Sequence, residues 1–271
     1  MARRLAFWLG GGLTSALVLT ALLGAVWTPY PIDAVAVVER LQAPSPLHPF
    51  GTDQLGRDML SLLMAGAGTS LLVAAAAVAA GAGFGVPLGL LAAFRGGVAD
   101  EAVMRLSDLA LAFPALLTAA MIAATYGPGV LDAVVAIAIF NVPVFARLAR
   151  SLALPLTGRA FVQAGYLAGK DALGVVVVHV LPNVASLLVV QAAIQLAFAL
   201  LAEASLSYLG LGVQPPGASW GRMLGEAQTY MRLAPHVVLF PGLAIVLAVM
   251  GLNLLGDGLR DRLDPRLWEG S

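Results

Sequence analysis

The sequence predicts an all-α integral membrane protein with six transmembrane helices, and three observations carry that expectation. Apolar residues make up 60% of the chain and charged residues only 11%, with a mean hydropathy of +0.90, a balance foreign to soluble domains. Six apolar runs each reach the about 20 residues that a helix needs to cross roughly 30 Å of hydrocarbon. Between them, Pro, Gly and charged residues cluster where a chain leaves lipid.

The first run, 5–26, follows Arg3-Arg4. It lacks a small-x-small cleavage site before Trp27-Thr28-Pro29 and is too long for a signal peptide, so it reads as a retained helix. Residues 28–68 are too polar and too rich in Pro and Gly to cross. The second run, 69–94, carries Gly81, Gly85 and Gly89 at every fourth position, which clears one helix face for a neighbour. Runs three and four cover 104–125 and 130–149. The fifth, 184–204, leads into a second polar segment, 205–235, and the sixth covers 236–255. Trp27, Tyr30, Tyr208, Trp220 and Tyr230 flank the polar segments, as rings at headgroup level do. Three regions follow: 1–68, with the first helix and its polar segment; 69–257, a five-helix core; and 258–271, a tail.

The stretch 147–183 departs from this pattern. It is abruptly polar, with Arg147, Arg150, Arg159, Gln163, Lys170, Asp171 and His179, and longer than ordinary connections. Such length calls for structure of its own. A helix over 158–168 with Gly169 as its left-handed stop, then a second over 172–180 ended by Pro182, makes an elbow. An elbow can seat in a partner's groove or lie flat on a membrane surface; composition leaves both open.

Orientation follows from the basic residues. With the N-terminus inside, eleven Lys and Arg fall on inner segments and four outside (Arg40, Arg57, Arg222 and Arg232). Both termini and the elbow are then cytoplasmic. Zero net charge offers no basic field for nucleic acid, and the absence of cysteine excludes disulfides and thiolate metal sites. No P-loop occurs, since Gly169-Lys170 lacks the leading Gly and trailing Ser or Thr; any ATP is hydrolysed by another chain. His48, His179 and His236 are scattered, with no zinc motif, and no Gly-x-Ser-x-Gly elbow occurs. Catalytic, cofactor and metal residues are therefore none. Asp53, Arg57 and Asp58 fall close together before the second run, where they can pair locally and cap a helix or contact a binding protein. Asp108 and Glu203 lie near span ends, at interface positions, in salt bridges to a partner chain or on a substrate path. Asn141, Gln191, Gln195 and Asn253 are the amides inside spans, suited to helix–helix hydrogen bonds or to lining a path.

The order Gln163-Ala164-Gly165, Gly169, then nine residues and His179-Val180-Leu181-Pro182 resembles the cytoplasmic EAA loop of ATP-binding-cassette (ABC) importer permeases. Gln163 stands where that loop has Glu and Gly165 where it has its second Ala. Gly51-Thr52-Asp53, Gly56, Arg57 and Asp58 resemble the Gly-Thr-Asp-x-x-Gly-Arg-Asp signature of the dipeptide, oligopeptide and nickel permeases. Residues 108–114, 203–212, 215–221 and 253–265 resemble further motifs of that family in the same order. The short segment before Gly51 is similar to the C-type member of a permease pair.

The resemblance implies a type I ABC importer permease in a bacterial inner membrane. It also implies a second permease, two cytoplasmic ATPases holding ATP and magnesium, and a periplasmic substrate-binding protein. Arg159, Gln163, Ala164, Gly165, Gly169, Lys170, Asp171, His179, Leu181 and Pro182 would couple to the ATPases. Peptides are the expected cargo, with nickel chelates or glutathione-like peptides as alternatives. From another class, an ion-coupled secondary transporter would need mid-membrane ionisable residues and paired repeats with broken helices, neither of which the sequence displays.

Overall fold

A buried Asp58 starts a 37-residue helix at the centre of the bundle. The computed structural model describes residues 2–263; Asp264, Pro265 and Arg266 lie outside the described residues. Helix α1 (Ala2–Val26) leads to an irregular segment, and α2 (Met59–Arg95) follows. The Asp58 carboxylate accepts from Ser61 N at 2.8 Å and from Ser61 Oγ at 2.7 Å, which satisfies an orphan donor of the first turn. At 37 residues, α2 is about 55 Å long and outreaches the hydrocarbon. The sequence expectation began this helix at residue 69. Its first ten residues are instead helical and packed on protein, with Met59, Ser61 and Leu62 buried.

Beyond Gly96, α3 (Gly97–Ala112) and α4 (Ala115–Tyr126) bend by 85° about Phe113-Pro114. The expected continuous span 104–125 is therefore corrected to a broken pair. Pro disfavours helical geometry in the residue before it, and Phe113 is extended at φ −87° and ψ 132°. Helix α5 (Val130–Ala153) then runs parallel to α2. Its tight contact with α2 comes from the glycine row. A Cβ on Gly81 would meet Asn141, on Gly85 the Val142 carbonyl, and on Gly89 the Ala146 carbonyl.

After α5 come α6 (Ala160–Leu167), α7 (Ala172–Val175), a π-helical turn at Val176–Val180, and α8 (Leu181–Tyr208). Helix α9 (Trp220–Ala227) is short, and α10 (His236–Leu263) packs antiparallel on α1 and also on α8. Five helices are long and apolar enough to cross a membrane, six if the bent pair counts as one span. Among the described residues there is no strand, only an isolated bridge between Thr52 and Asp58. The parallel course of α2 and α5 places the segment 27–58 and α9 at one end of the bundle and α6 at the other.

Candidate functional site

At the α6 end the polar stretch folds into a compact elbow. Gly169 has φ +81°, the left-handed conformation that glycine adopts without a Cβ clash. Lys170 N donates to Gly165 O at 3.2 Å and Gly169 N to Tyr166 O at 3.0 Å, the paired bonds of a Schellman stop. Asp171 then caps α7 through Gly174 N at 2.9 Å. The two arms close on each other because Val162, Val175 and Val180 are fully buried. Gly165 is small for a reason: a Cβ there would approach His179 Cδ2 to 2.9 Å. Lys170 Nζ and His179 Nε2 lie 3.3 Å apart.

One expectation is corrected here. Pro182 does not end the second arm, since Ala172–Tyr208 is one unbroken helix. Pro182 sits in the first turn of α8, where its missing N–H is absorbed by the π turn before it. The Asn183 side chain donates to His179 O at 2.6 Å. The second arm of the elbow is thus the end of a membrane helix. Arg159, Gln163, Ala164 and Asp171 are exposed, and Gln163 Nε2 donates to Thr157 O at 3.0 Å. Apolar groups share that surface: Leu167 is 89% exposed and Leu173 69%.

The far end carries an ion-pair network. Asp53 accepts from Leu55 N and Arg57 N at 2.8 Å each and pairs with Arg57 Nε at 2.6 Å. Arg57 reaches on to Glu226 of α9 at 3.0 Å, and Glu226 also binds Arg222 and Gln54. His48 Nδ1 lies 2.9 Å from Asp58 Oδ1. Gly51 and Gly56 turn the chain at φ +75° and +78°. The sequence reading paired Asp53 with Arg57 but missed Glu226 and Arg222. Their i,i+4 spacing was the available signal.

Within the membrane, the four amides separate. Asn141 and Gln195 are buried and joined, Gln195 Nε2 donating to Asn141 Oδ1 at 2.7 Å. Both line a cavity of about 320 Å³ between α4, α5 and α8. Gln191 is only half-buried and Asn253 is exposed on α10; neither lines the cavity. Asp108 pairs with Arg147, and Asp100 with Arg150, tying α3 to α5. Glu203 is fully buried and accepts from Ser207 Oγ at 2.7 Å, with Ser70 and Ser219 beside it. Among the described residues, no group of His, Cys, Asp and Glu could hold a metal ion.

Comparison with known proteins agrees with this architecture. Residues 85–269 match the family described as binding-protein-dependent transport system inner membrane component. The chain is 43% identical over 228 residues to the dipeptide transport system permease protein of Alkalihalophilus pseudofirmus, covering 84% of this chain and 75% of that one. Against the glutathione transport system permease protein of Pectobacterium atrosepticum it is 42% identical over 255 residues, covering 92% and 85%. A di/tripeptide transport system permease protein of Pseudomonas aeruginosa is 48% identical over 217 residues, covering 80% and 72%.

Proposed function

This chain belongs to the family of binding-protein-dependent transport system inner membrane components, and from that premise we propose that it is the permease subunit of an ATP-driven peptide importer. Relatives named for dipeptide, di/tripeptide and glutathione transport support peptide cargo over nickel chelates. The observation that carries the mechanism is the elbow. It is a compact, exposed knob whose second arm continues without a break into membrane helix α8.

On this reading the elbow end faces the cytoplasm, with both termini, and the network end faces the periplasm. A second permease completes the path, and two ATPases grip the paired elbows. ATP binding draws the ATPases together and displaces each elbow. Because the second arm and α8 are one helix, that displacement moves the wall of the membrane cavity directly. A periplasmic binding protein docks at the end that holds the Asp53–Arg57–Glu226 network. No covalent chemistry is assigned to this chain; its residues bind, orient and move.

The test is co-purification from a bacterial membrane with a tag on this chain. The wild type is expected to bring down a second permease and two ATPases. Gly169→Pro forces φ to about −65° where the chain needs +81° and deletes a capping N–H. It is expected to lose the ATPases while keeping the second permease. ATPase recovery indifferent to the substitution would reject the elbow as the contact.

A further inference from the structure

The cavity between α4, α5 and α8 is nearly all apolar, walled by Leu116, Phe140, Phe198 and Leu206, with Asn141 and Gln195 as its polar members. The amide orientations are fixed by the network rather than by choice. The Ile137 carbonyl can only accept, so Asn141 must present Nδ2 to it, at 2.9 Å. Asn141 Oδ1 then faces Gln195, which must present Nε2, at 2.7 Å. This leaves Gln195 Oε1 and the second N–H on Gln195 Nε2 without a protein partner among the described residues. A primary amide has up to four hydrogen-bonding positions, and the unpaired Gln195 Oε1 is open to the cavity rather than sealed in protein.

We propose that the Gln195–Asn141 amide pair is a contact site for an uncharged peptide group of the transported solute. This rests on the peptide-importer reading above. The chemistry selects the ligand class. An acceptor and a donor held side by side meet the N–H and C=O of a peptide bond, while the apolar walls take its side chains. No ionised side chain lines the cavity, so it takes the peptide group and side chains of the solute, while the charged termini of a free peptide stay outside it. A volume of about 320 Å³ falls in the range of small-ligand sites. The cavity also opens outward past Phe198, 60% exposed, and Leu116, 48% exposed, where a second permease would close it. Asn141 anchors the pair, since it also packs against Gly81; Gln195 makes the contact.

The assembled transporter in proteoliposomes gives the test, with radiolabelled Ala-Phe and glutathione as probes and ATP hydrolysis followed in the same vesicles. Gln195→Leu is expected to lower the solute moved per ATP roughly tenfold, the effect of one hydrogen bond in a water-poor site. Asn253→Leu removes an amide from a membrane helix outside the cavity and is expected to keep the wild-type ratio. A wild-type ratio in Gln195→Leu overturns this proposal alone. Wild-type vesicles that take up neither probe with ATP overturn the peptide reading and this site with it. The chain has no cysteine, so Gln195→Cys supplies a reporter that does not depend on the leucine variant folding. Its labelling by a small methanethiosulfonate is expected to slow during turnover with Ala-Phe; labelling indifferent to Ala-Phe overturns the contact.

Discussion

At the scale of the residue, two buried carboxylates do different work. Asp58 is 3% exposed and makes three contacts: Ser61 N, Ser61 Oγ and His48 Nδ1. Asp58→Ala removes the cap of α2 and strands His48, and is expected to cost about 2 kcal/mol. Asp58→Asn keeps an acceptor for Ser61 N and should recover part of that loss. Thermal unfolding of the detergent-solubilised chain, with the two variants side by side, checks the order. Glu203 sits deeper, its Oε1 bound to Ser207 and the hydroxyls of Ser70 and Ser219 nearby. Glu203→Gln preserves shape and the Ser207 bond and should be tolerated. Glu203→Leu leaves the buried Ser207 hydroxyl without its acceptor and should cost about 1–3 kcal/mol, read as lower yield of folded protein. Equal behaviour of the two Glu203 variants would mean that the carboxyl oxygens hold nothing in place.

At the scale of the element, glycine spacing sets which helices touch. The row Gly81, Gly85, Gly89 lies flat against α5, and a Cβ on Gly85 would come within 2.8 Å of Phe145 Cβ as well as striking the Val142 carbonyl. Gly83, on the same helix, has nothing within 4 Å. Gly85→Leu is expected to abolish folding of the bundle, and Gly83→Leu to leave it intact. Comparable membrane yields of the two would remove the row from the α2–α5 contact. This face was legible in the sequence because a four-residue period needs no tertiary knowledge. Proline was not legible in the same way. Pro87, Pro143 and Pro241 lie inside unbroken helices, and Pro182 is carried by a π turn, whereas Pro114 breaks its span by 85°. All five stand in apolar surroundings. The outcome depends on whether neighbours or a local ladder adjustment satisfy the freed carbonyls, which no single-chain pattern records. The elbow divided likewise: Gly169 announced a helix stop, but the merger of its second arm with α8 depended on that π turn.

At the scale of the whole molecule, the two ends of the bundle differ in how their charge is held. Of the four basic residues expected outside, Arg57 and Arg222 are bound into one network around Glu226. At the elbow end Arg105, Arg147 and Arg150 pair with Glu101, Asp108 and Asp100, while Arg159 is exposed on the knob. The proposed orientation, with the elbow in the cytoplasm, rests on the positive-inside bias of the basic residues, and single cysteines in this cysteine-free chain test it. Val38 is 97% exposed in the 27–58 segment, and Gly158 is exposed at the start of the elbow with nothing within 4 Å of a Cβ. A membrane-impermeant maleimide is expected to label Val38→Cys in spheroplasts and Gly158→Cys only in inside-out vesicles. The reverse pattern would turn the bundle over, and with it the sides assigned to the ATPases and the binding protein. The parallel course of α2 and α5 would still put elbow and network on opposite faces, so labelling of both cysteines from one side would contradict the fold itself.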